Sequence, residues 1–275
     1  MQEHYLDKDR IYYRTNEFKG DRITLDFIHG ASGSSSAWLP YESIFENKYN
    51  ILFYDIRGHG MSKKYPNYED YEIKKFAQDL HDLVTYLNIS KFVLVSNSFG
   101  SLIALEYLKY WKDDITANIF FSPETYLDEV NMAKISRPIL KKINDILSIL
   151  PFNPRPRGHV DYSKYLNSKD WDVGRNIADT LNTGMRVHFY ALAQSLVKNQ
   201  EYPIGKINTP TLIMHGEDDT FVPIKNAIRM SKEIENSTFI SIPNVQHDTA
   251  RNSVKEISEA IETFLEKNKS LLKGH

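Results

Sequence analysis

The segment KFVLVSNSFGSLIALEYL, residues 91–108, decides the fold, because it joins two apolar runs through a short polar junction. The first run, KFVLV, is short and continuously apolar, which is typical of a strand buried on both faces of a sheet. The second run starts a helix-like segment, and the junction SNSFG places two serines and a glycine between the two. Either Ser98 carries chemistry at this turn, or Ser96 and Ser98 serve only as helix caps.

The residues around Ser98 are compatible with a reactive serine. A tight turn from strand to helix that exposes one side chain needs small neighbours, because the backbones pack closely there. Ser96, Gly100 and Ser101 are small, and the spacing matches the GxSxG nucleophile elbow with Ser96 in place of the first glycine. On these five junction residues alone, both interpretations stay open.

Further apolar runs predict an α/β fold with a mostly parallel central sheet and flanking helices. The strand-like runs are RITLDFI (22–28), NILFYDI (50–56), ANIFF (117–121), TPTLIMHG (209–216) and TFISI (238–242). Between and after them, apolar residues recur at helical spacing over residues 73–89, 224–235 and 251–267. Amphipathic helices that alternate with buried strands are the crossover connections of a parallel sheet.

The alternation of strands and helices stops after Pro123 and resumes near residue 206. Residues 124–205 hold helix-like segments but no apolar strand run, and PFNPRPRG (151–158) is incompatible with regular structure. We therefore predict that residues 1–123 and 206–275 form the α/β core, and that residues 124–205 form an inserted helical cap. The aromatic residues of this segment either line an apolar pocket or pack the cap onto the core; they include Tyr126, Phe152, Tyr162, Tyr165, Trp171, Phe189 and Tyr190.

Composition excludes several classes of function. The 275 residues include 34 Lys and Arg against 36 Asp and Glu, without a long run of one sign, so we do not expect nucleic acid as a partner. The absence of cysteine excludes disulfides and cysteine nucleophiles. The polar N-terminus and the lack of an 18-residue apolar stretch predict a cytoplasmic protein without stable membrane association. No phosphate-binding loop, dinucleotide fingerprint or metal-ligand spacing is present, so we expect neither a cofactor nor a metal.

A base and an acid for Ser98 follow two later strands. A serine hydroxyl is a weak nucleophile unless a histidine takes its proton and an acid orients that histidine. The acidic pair of HGEDDTFVP (215–223) follows the strand TLIM, and His247 of PNVQHDTA (243–250) follows the strand TFISI. Ser98, Asp219 and His247 come in the chain order serine, acid, histidine that this architecture requires. Order and location together predict a catalytic triad.

The segment His29-Gly30-Ala31-Ser32-Gly33 follows the first strand of the predicted core and is rich in small residues. Its backbone N–H groups can converge with the N–H of Phe99, at the start of the helix after the elbow, and stabilise an oxyanion. We therefore predict that Ala31 and Phe99 form an oxyanion hole through their backbones. The alternative is an ordinary loop.

On these motifs the chain resembles the α/β-hydrolase fold superfamily, and the resemblance covers nearly all of the sequence. HGASGSSSAW (29–38) resembles the oxyanion segment, YDIRGHGMS (54–62) the DxRGxGxS signature, SNSFG the elbow, HGEDDTFVP the acid loop and VQHDTA (245–250) the histidine loop. The resemblance assigns the acid to Asp219 rather than Asp218, and it places the family's lid or cap where residues 124–205 stand. Ser96 and Gln246 depart from the pattern, because each occupies a position where the family often has glycine.

The remaining histidines near the motifs have structural interpretations. His29 and His215 each precede a glycine at the end of a strand, so we expect them to brace the oxyanion and acid loops. His59 lies in the segment that is structural in the resembling family, and it is not expected to join the triad.

The resemblance implies a serine hydrolase that cleaves a small-molecule carboxylic ester or a related acyl substrate through an acyl-enzyme. An aminopeptidase, a thioesterase and a C–C bond hydrolase use the same triad, and a small-molecule sensor on the same fold is a further alternative. A serine at position 98 argues against the dehalogenase and epoxide-hydrolase branches, for which the resemblance would require an aspartate nucleophile.

Overall fold

The computed structural model describes residues 1–8, 10–127, 131–155, 157–166, 168–196 and 202–272. Their strands form one eight-stranded sheet. In chain order, β1 to β8 are Gln2–Leu6, Ile11–Thr15, Thr24–Ile28, Asn50–Tyr54, Phe92–Asn97, Ile115–Phe121, Thr211–Gly216 and Ser237–Ile242. The strands lie side by side in the order β1-β2-β4-β3-β5-β6-β7-β8. The six strands from β3 to β8 pair in parallel, which confirms the predicted mostly parallel sheet.

The hairpin at the edge of the sheet was not predicted. Strands β1 and β2 pair antiparallel, β2 pairs antiparallel with β4, and the turn of the hairpin includes Asp7 and Lys8 at positive φ. Most of β1 is exposed or half-buried, so its sequence QEHYL lacks the apolar run that marks the inner strands. Edge strands have one unpaired side and need less apolar surface, which explains why β1 is hard to detect in the sequence.

The helices α1 to α10 are Leu39–Phe45, Ile73–Tyr86, Phe99–Trp111, Asn131–Ile149, Val173–Thr183, Met185–Leu196, Ile224–Glu233, Thr249–Asn252, Val254–Lys267 and Lys269–Leu272. Both faces of the sheet are covered by apolar side chains. Along β5, Leu94 belongs to the core that includes α2 and α3, whereas Val93 and Val95 belong to the core that includes α1 and α9. Successive strand residues point to opposite faces, so the continuously apolar run at β5 reflects burial on both sides.

The described residues between β6 and β7 form α4, α5 and α6 together with short 3-10 turns, and none of them belongs to a strand. The described residues of 151–158 form neither a helix nor a strand, as their prolines predict. Residues 128–130, 156, 167 and 197–201 of the predicted cap lie outside the described residues. The division into a core (1–123 and 206–275) and a cap (124–205) stays a prediction.

The turn between β5 and α3 has the strained geometry of an elbow. Ser98 has φ 51° and ψ −120°, a region that non-glycine residues rarely adopt, and it precedes the first residue of α3. The backbone N–H of Ser98 donates to the carbonyl of Phe121 on β6 at 2.9 Å, which holds the turn against the neighbouring strand. Gly100 faces the backbone of β3 so closely that an added Cβ would lie 2.6 Å from the carbonyl oxygen of Ile28. Ser96, which replaces the first glycine of the elbow pattern, is fully buried.

We expect Gly100→Ala to lower the free energy of unfolding by roughly 1–3 kcal/mol, because the new methyl group would be forced against the strand backbone. Urea denaturation measures this loss. Gly20→Ala is the matched control, since its Cβ would meet no atom within 4 Å. Equal stability of the two variants would contradict the close approach of α3 to β3.

Candidate active site

Three side chains predicted from the sequence meet at the carboxyl edge of the parallel sheet. Ser98 follows β5, Asp219 follows β7 and His247 follows β8. Ser98 Oγ lies 2.7 Å from His247 Nε2, and His247 Nδ1 lies 2.8 Å from Asp219 Oδ2. The carboxyl ends of parallel strands face the same crevice, which is why residues up to 149 positions apart in the chain come into contact.

The acid loop fixes Asp219 rather than Asp218 beside the histidine. Asp219 Oδ1 accepts from the backbone N–H groups of Phe221 at 2.9 Å and Val222 at 2.8 Å, whereas Asp218 is exposed. Burial would raise the pKa of Asp219, but hydrogen bonds from His215 and His247 and the charges of these rings hold it well below its ordinary value. Asp219 is therefore a carboxylate that orients the His247 ring.

His215 and His29 brace the loops, as their positions predict. His215 Nε2 lies 3.0 Å from the carbonyl oxygen of Val222 and 3.1 Å from Asp219 Oδ2. His29 Nε2 accepts from the backbone N–H of Ile56 at 3.1 Å, which ties the loop after β3 to the end of β4. His59 is fully buried, and its Nδ1 lies 2.9 Å from the carbonyl oxygen of Arg57 rather than in the triad.

The environment of His247 makes the ring a stronger base and directs its Nδ1 at Asp219. Burial would lower its pKa, but the hydrogen bond and charge of Asp219, followed by the charges of Glu124 and Asp170, raise it above the ordinary value. A proton on Nδ1, directed at the Asp219 carboxylate, leaves Nε2 of the neutral ring free to accept the hydroxyl proton of Ser98.

Glu124 is a residue of the site that the sequence analysis missed. Its Oε1 lies 2.9 Å from Ser98 Oγ, so the hydroxyl is within hydrogen-bond distance of both Glu124 and His247. The hydroxyl has a single proton and can donate to only one of these groups at a time. Burial raises the pKa of Glu124, against the opposing effect of His247. The available signal was its position, because Glu124 follows β6 at the same carboxyl edge as the triad.

The loop after β3 lies against Ser98, as the oxyanion prediction requires. Ala31 and Ser98 border the same cavity, and a Cβ at Gly30 would lie 3.3 Å from Ser98 Cβ. Phe99 is the first residue of α3, where the N–H groups have no acceptor within the helix. The Phe99 ring is fully buried and contacts Phe76, so the Phe99 side chain is not available to a ligand.

Helices α5 and α6 hold the same loop from the other side. Thr183 Oγ1 donates to the carbonyl of Ser32 at 2.9 Å, and Ser32 Oγ contacts His188 Nδ1. Burial lowers the pKa of His188 to about 4, so its ring is neutral at pH 7. The shape of the loop after β3 thus depends on residues from the segment between β6 and β7.

A cavity of about 490 Å³ opens over Ser98 and His247. Its wall includes apolar residues such as Leu127, Leu192 and Phe221. Of the aromatic residues singled out between β6 and β7, Tyr162 and Trp171 line this cavity. Tyr190 instead packs into the core against Tyr68 and Tyr71. Some of these aromatic residues therefore line the cavity, and at least one packs against the core.

Two kinds of feature are missing from the part of the chain that the structure describes. No group of three or more histidine, aspartate or glutamate side chains there is arranged to hold a metal ion. No helix there combines the length and the apolar character needed to cross a membrane.

Comparison with known proteins identifies a family for this chain. The sequence model of the family described as "Serine aminopeptidase, S33" matches residues 22–253. A bifunctional esterase/perhydrolase of Acinetobacter calcoaceticus is 24% identical over 265 residues, which cover 89% of this chain and 92% of that protein.

Solved structures share the fold at lower identity. A thermophilic esterase from Thermogutta terrifontis superposes with a TM-score of 0.73 at 17% identity, over 94% of this chain and 93% of that one. A bromoperoxidase from Bacillus anthracis superposes with a TM-score of 0.70 at 21% identity, over 93% of this chain and 95% of that one. At these identities the likeness shows the α/β-hydrolase fold alone.

The raised pKa of His247 gives a testable pH dependence. A general base must be neutral to act, so we expect kcat/KM for p-nitrophenyl acetate to rise with pH, with a midpoint above the ordinary histidine value of about 6.5.

Asp219→Asn should lower kcat by roughly 10⁴-fold, because the ring loses the carboxylate that sets its tautomer. Asp218→Asn is the control and should stay close to wild type. Equal losses in the two variants would overturn the assignment of the acid.

Proposed function

The chain belongs to the serine aminopeptidase S33 family within the α/β-hydrolase fold superfamily, and we propose that it cleaves a small-molecule carboxylic ester through an acyl-enzyme. The observation that carries this proposal is the continuous chain of contacts from Ser98 Oγ through His247 to Asp219, at 2.7 and 2.8 Å. These distances are those at which a nucleophile, its base and an orienting acid function together.

In this proposal, Ser98 Oγ attacks the carbonyl carbon of the ester while its proton passes to His247 Nε2. The tetrahedral intermediate collapses as His247 returns that proton to the leaving alcohol, and the acyl group stays on Ser98. A water molecule then attacks the acyl-enzyme, giving its proton to His247, which returns it to Ser98 as the acid is released. Asp219 stays ionised throughout and stabilises the charged ring.

We place the oxyanion between the backbone N–H groups of Ala31 and Phe99. The Ala31 loop borders the cavity beside Ser98, and Phe99 opens α3, whose N-terminal end favours negative charge. Donors of this kind act on the negative charge that develops in the transition state, and losing one typically costs about 10²- to 10³-fold in kcat.

We further propose that the segment 124–205 acts as a cap that selects the acyl group. It supplies Tyr162, Trp171 and Leu192 to the wall of the cavity. A volume of about 490 Å³ suits a substrate of modest size. The A. calcoaceticus relative is named for esterase activity, which supports an ester as the bond that is cleaved.

Glu124 favours a second candidate, an enzyme that acts on aminoacyl substrates. Its Oε2 is buried without a hydrogen-bond partner among the described residues, although its Oε1 contacts Ser98 Oγ. An acyl group bound to Oγ would bring the substituent on its α carbon close to this carboxyl. An ammonium group there would pair with Glu124 by a charge-assisted hydrogen bond. The family is named for aminopeptidases, whose substrates carry such a group.

The main proposal is tested with p-nitrophenyl esters of increasing acyl length and a fluorophosphonate probe. We expect rapid turnover and labelling at Ser98, and a loss of about 10⁴-fold or more in kcat for both Ser98→Ala and His247→Ala. Labelling of Ser98 without turnover would indicate a sensor instead. Full activity of Ser98→Ala would refute the mechanism. Thioester, amide and C–C substrates in the same assay separate the remaining hydrolase classes.

The second candidate is tested with alanine methyl ester against methyl propionate, which differ by the α-ammonium group. If Glu124 binds that group, Glu124→Gln should lower kcat/KM for the alanine ester by roughly tenfold or more relative to the propionate ester. Loss of equal size on both esters would mean that Glu124 acts on Ser98 alone. In that case an uncharged acyl ester stays the better substrate class.

A further inference from the structure

Asp170 lies outside the triad but contacts the two loops that carry the acid Asp219 and the base His247 of the triad. It precedes α5 in the chain and is fully buried. Its Oδ1 accepts from the backbone N–H of His247 at 2.9 Å. Its Oδ2 accepts from the backbone N–H of Thr220 at 3.1 Å and from Thr220 Oγ1 at 2.7 Å. One carboxylate therefore joins the residue next to Asp219 to His247 itself.

The backbone N–H and carbonyl groups of Asp170 also form hydrogen bonds. Its carbonyl accepts from Arg175 Nη2 at 3.2 Å and from Asn176 Nδ2 at 3.0 Å, both on the first turn of α5. Its N–H donates to Gln246 Oε1 at 2.8 Å. Every polar group of Asp170 thus has a partner, which is the condition under which a buried carboxylate is tolerated and fixed in place.

The contact with Gln246 accounts for one departure from the sequence pattern of the family. A glycine at position 246 would have no side chain to accept from the N–H of Asp170. Gln246 supplies that acceptor from the residue directly before His247. Asp170 is therefore linked to this loop twice. Its carboxylate accepts from the backbone N–H of His247, and its own backbone N–H donates to the side chain of Gln246.

We propose that Asp170 is a positioning residue that sets the geometry of His247 against Asp219 by bridging the acid and histidine loops. This inference rests on the proposed function, since it assigns a task to Asp170 in the same triad. An asparagine cannot replace it, because its amide nitrogen would face an N–H donor from either Thr220 or His247. The negative charge of Asp170 also acts with Asp219 and Glu124 to favour the protonated form of His247.

The experiment compares Asp170→Asn with Asp172→Asn. Asp172 caps α5 by accepting from the N–H of Arg175 at 2.9 Å, and asparagine caps a helix equally well, so this control makes the same chemical change in the same segment. We expect Asp170→Asn to lower kcat for p-nitrophenyl acetate on the order of 10- to 100-fold with little change in KM. The midpoint of the rise of kcat/KM with pH should also move to lower pH. Asp172→Asn should change neither quantity.

Thr220→Val provides a milder variant that keeps the fold if Asp170→Asn does not. It removes the hydroxyl bond to Asp170 and leaves the backbone bond, so a loss of roughly two- to tenfold in kcat is expected. If Asp170→Asn, or Thr220→Val where Asp170→Asn does not fold, keeps the wild-type kcat and pH midpoint while Ser98→Ala is inactive, the positioning role is refuted and the proposed function stands. If Ser98→Ala keeps full activity, the proposed function itself has failed.

Discussion

The hydrogen bond between His247 Nδ1 and Asp219 Oδ2 is the interaction on which the site depends. It joins the loops after β7 and β8, which are adjacent because these strands pair in parallel from Thr211 to Gly216. The bond fixes the ring so that Nε2 faces the elbow, and the elbow can present Ser98 only because Gly100 lets α3 approach β3. The geometry of the site therefore depends on the parallel sheet, on Gly100 and on this hydrogen bond together.

The sequence predicted those parts of the structure that leave a pattern among neighbouring residues. The inner strands, the main helices flanking the sheet and the motif loops were predicted because burial on both faces leaves continuous apolar runs, and because tight turns demand small residues. Strand β1 was missed since an edge strand is only partly buried. Glu124 and Asp170 were missed for another reason. Their contacts lie 26 and 77 residues away along the chain, and no motif marks them, although Glu124 does follow a strand at the carboxyl edge of the sheet.

The segment between β6 and β7 contributes to more than the wall of the cavity. Thr183 and His188 hold the loop after β3 through Ser32, and Asp170 holds the acid and histidine loops. Tyr162, Trp171 and Leu192 of the cavity wall therefore belong to the same stretch of chain as these supporting residues. Changes in this segment that alter substrate choice will tend to alter the rate of the chemical step as well, because both depend on how the segment packs.

The single hydroxyl proton of Ser98 has two acceptors within reach, His247 Nε2 at 2.7 Å and Glu124 Oε1 at 2.9 Å. In the proposed mechanism only a proton directed at His247 leads to attack, so a bond to an ionised Glu124 would lower the rate constant in proportion to the fraction of molecules that form it. A substrate group that engages Glu124 would return the hydroxyl to His247. Such a substrate would activate its own nucleophile, and the benefit would be seen in the acylation rate rather than in the affinity.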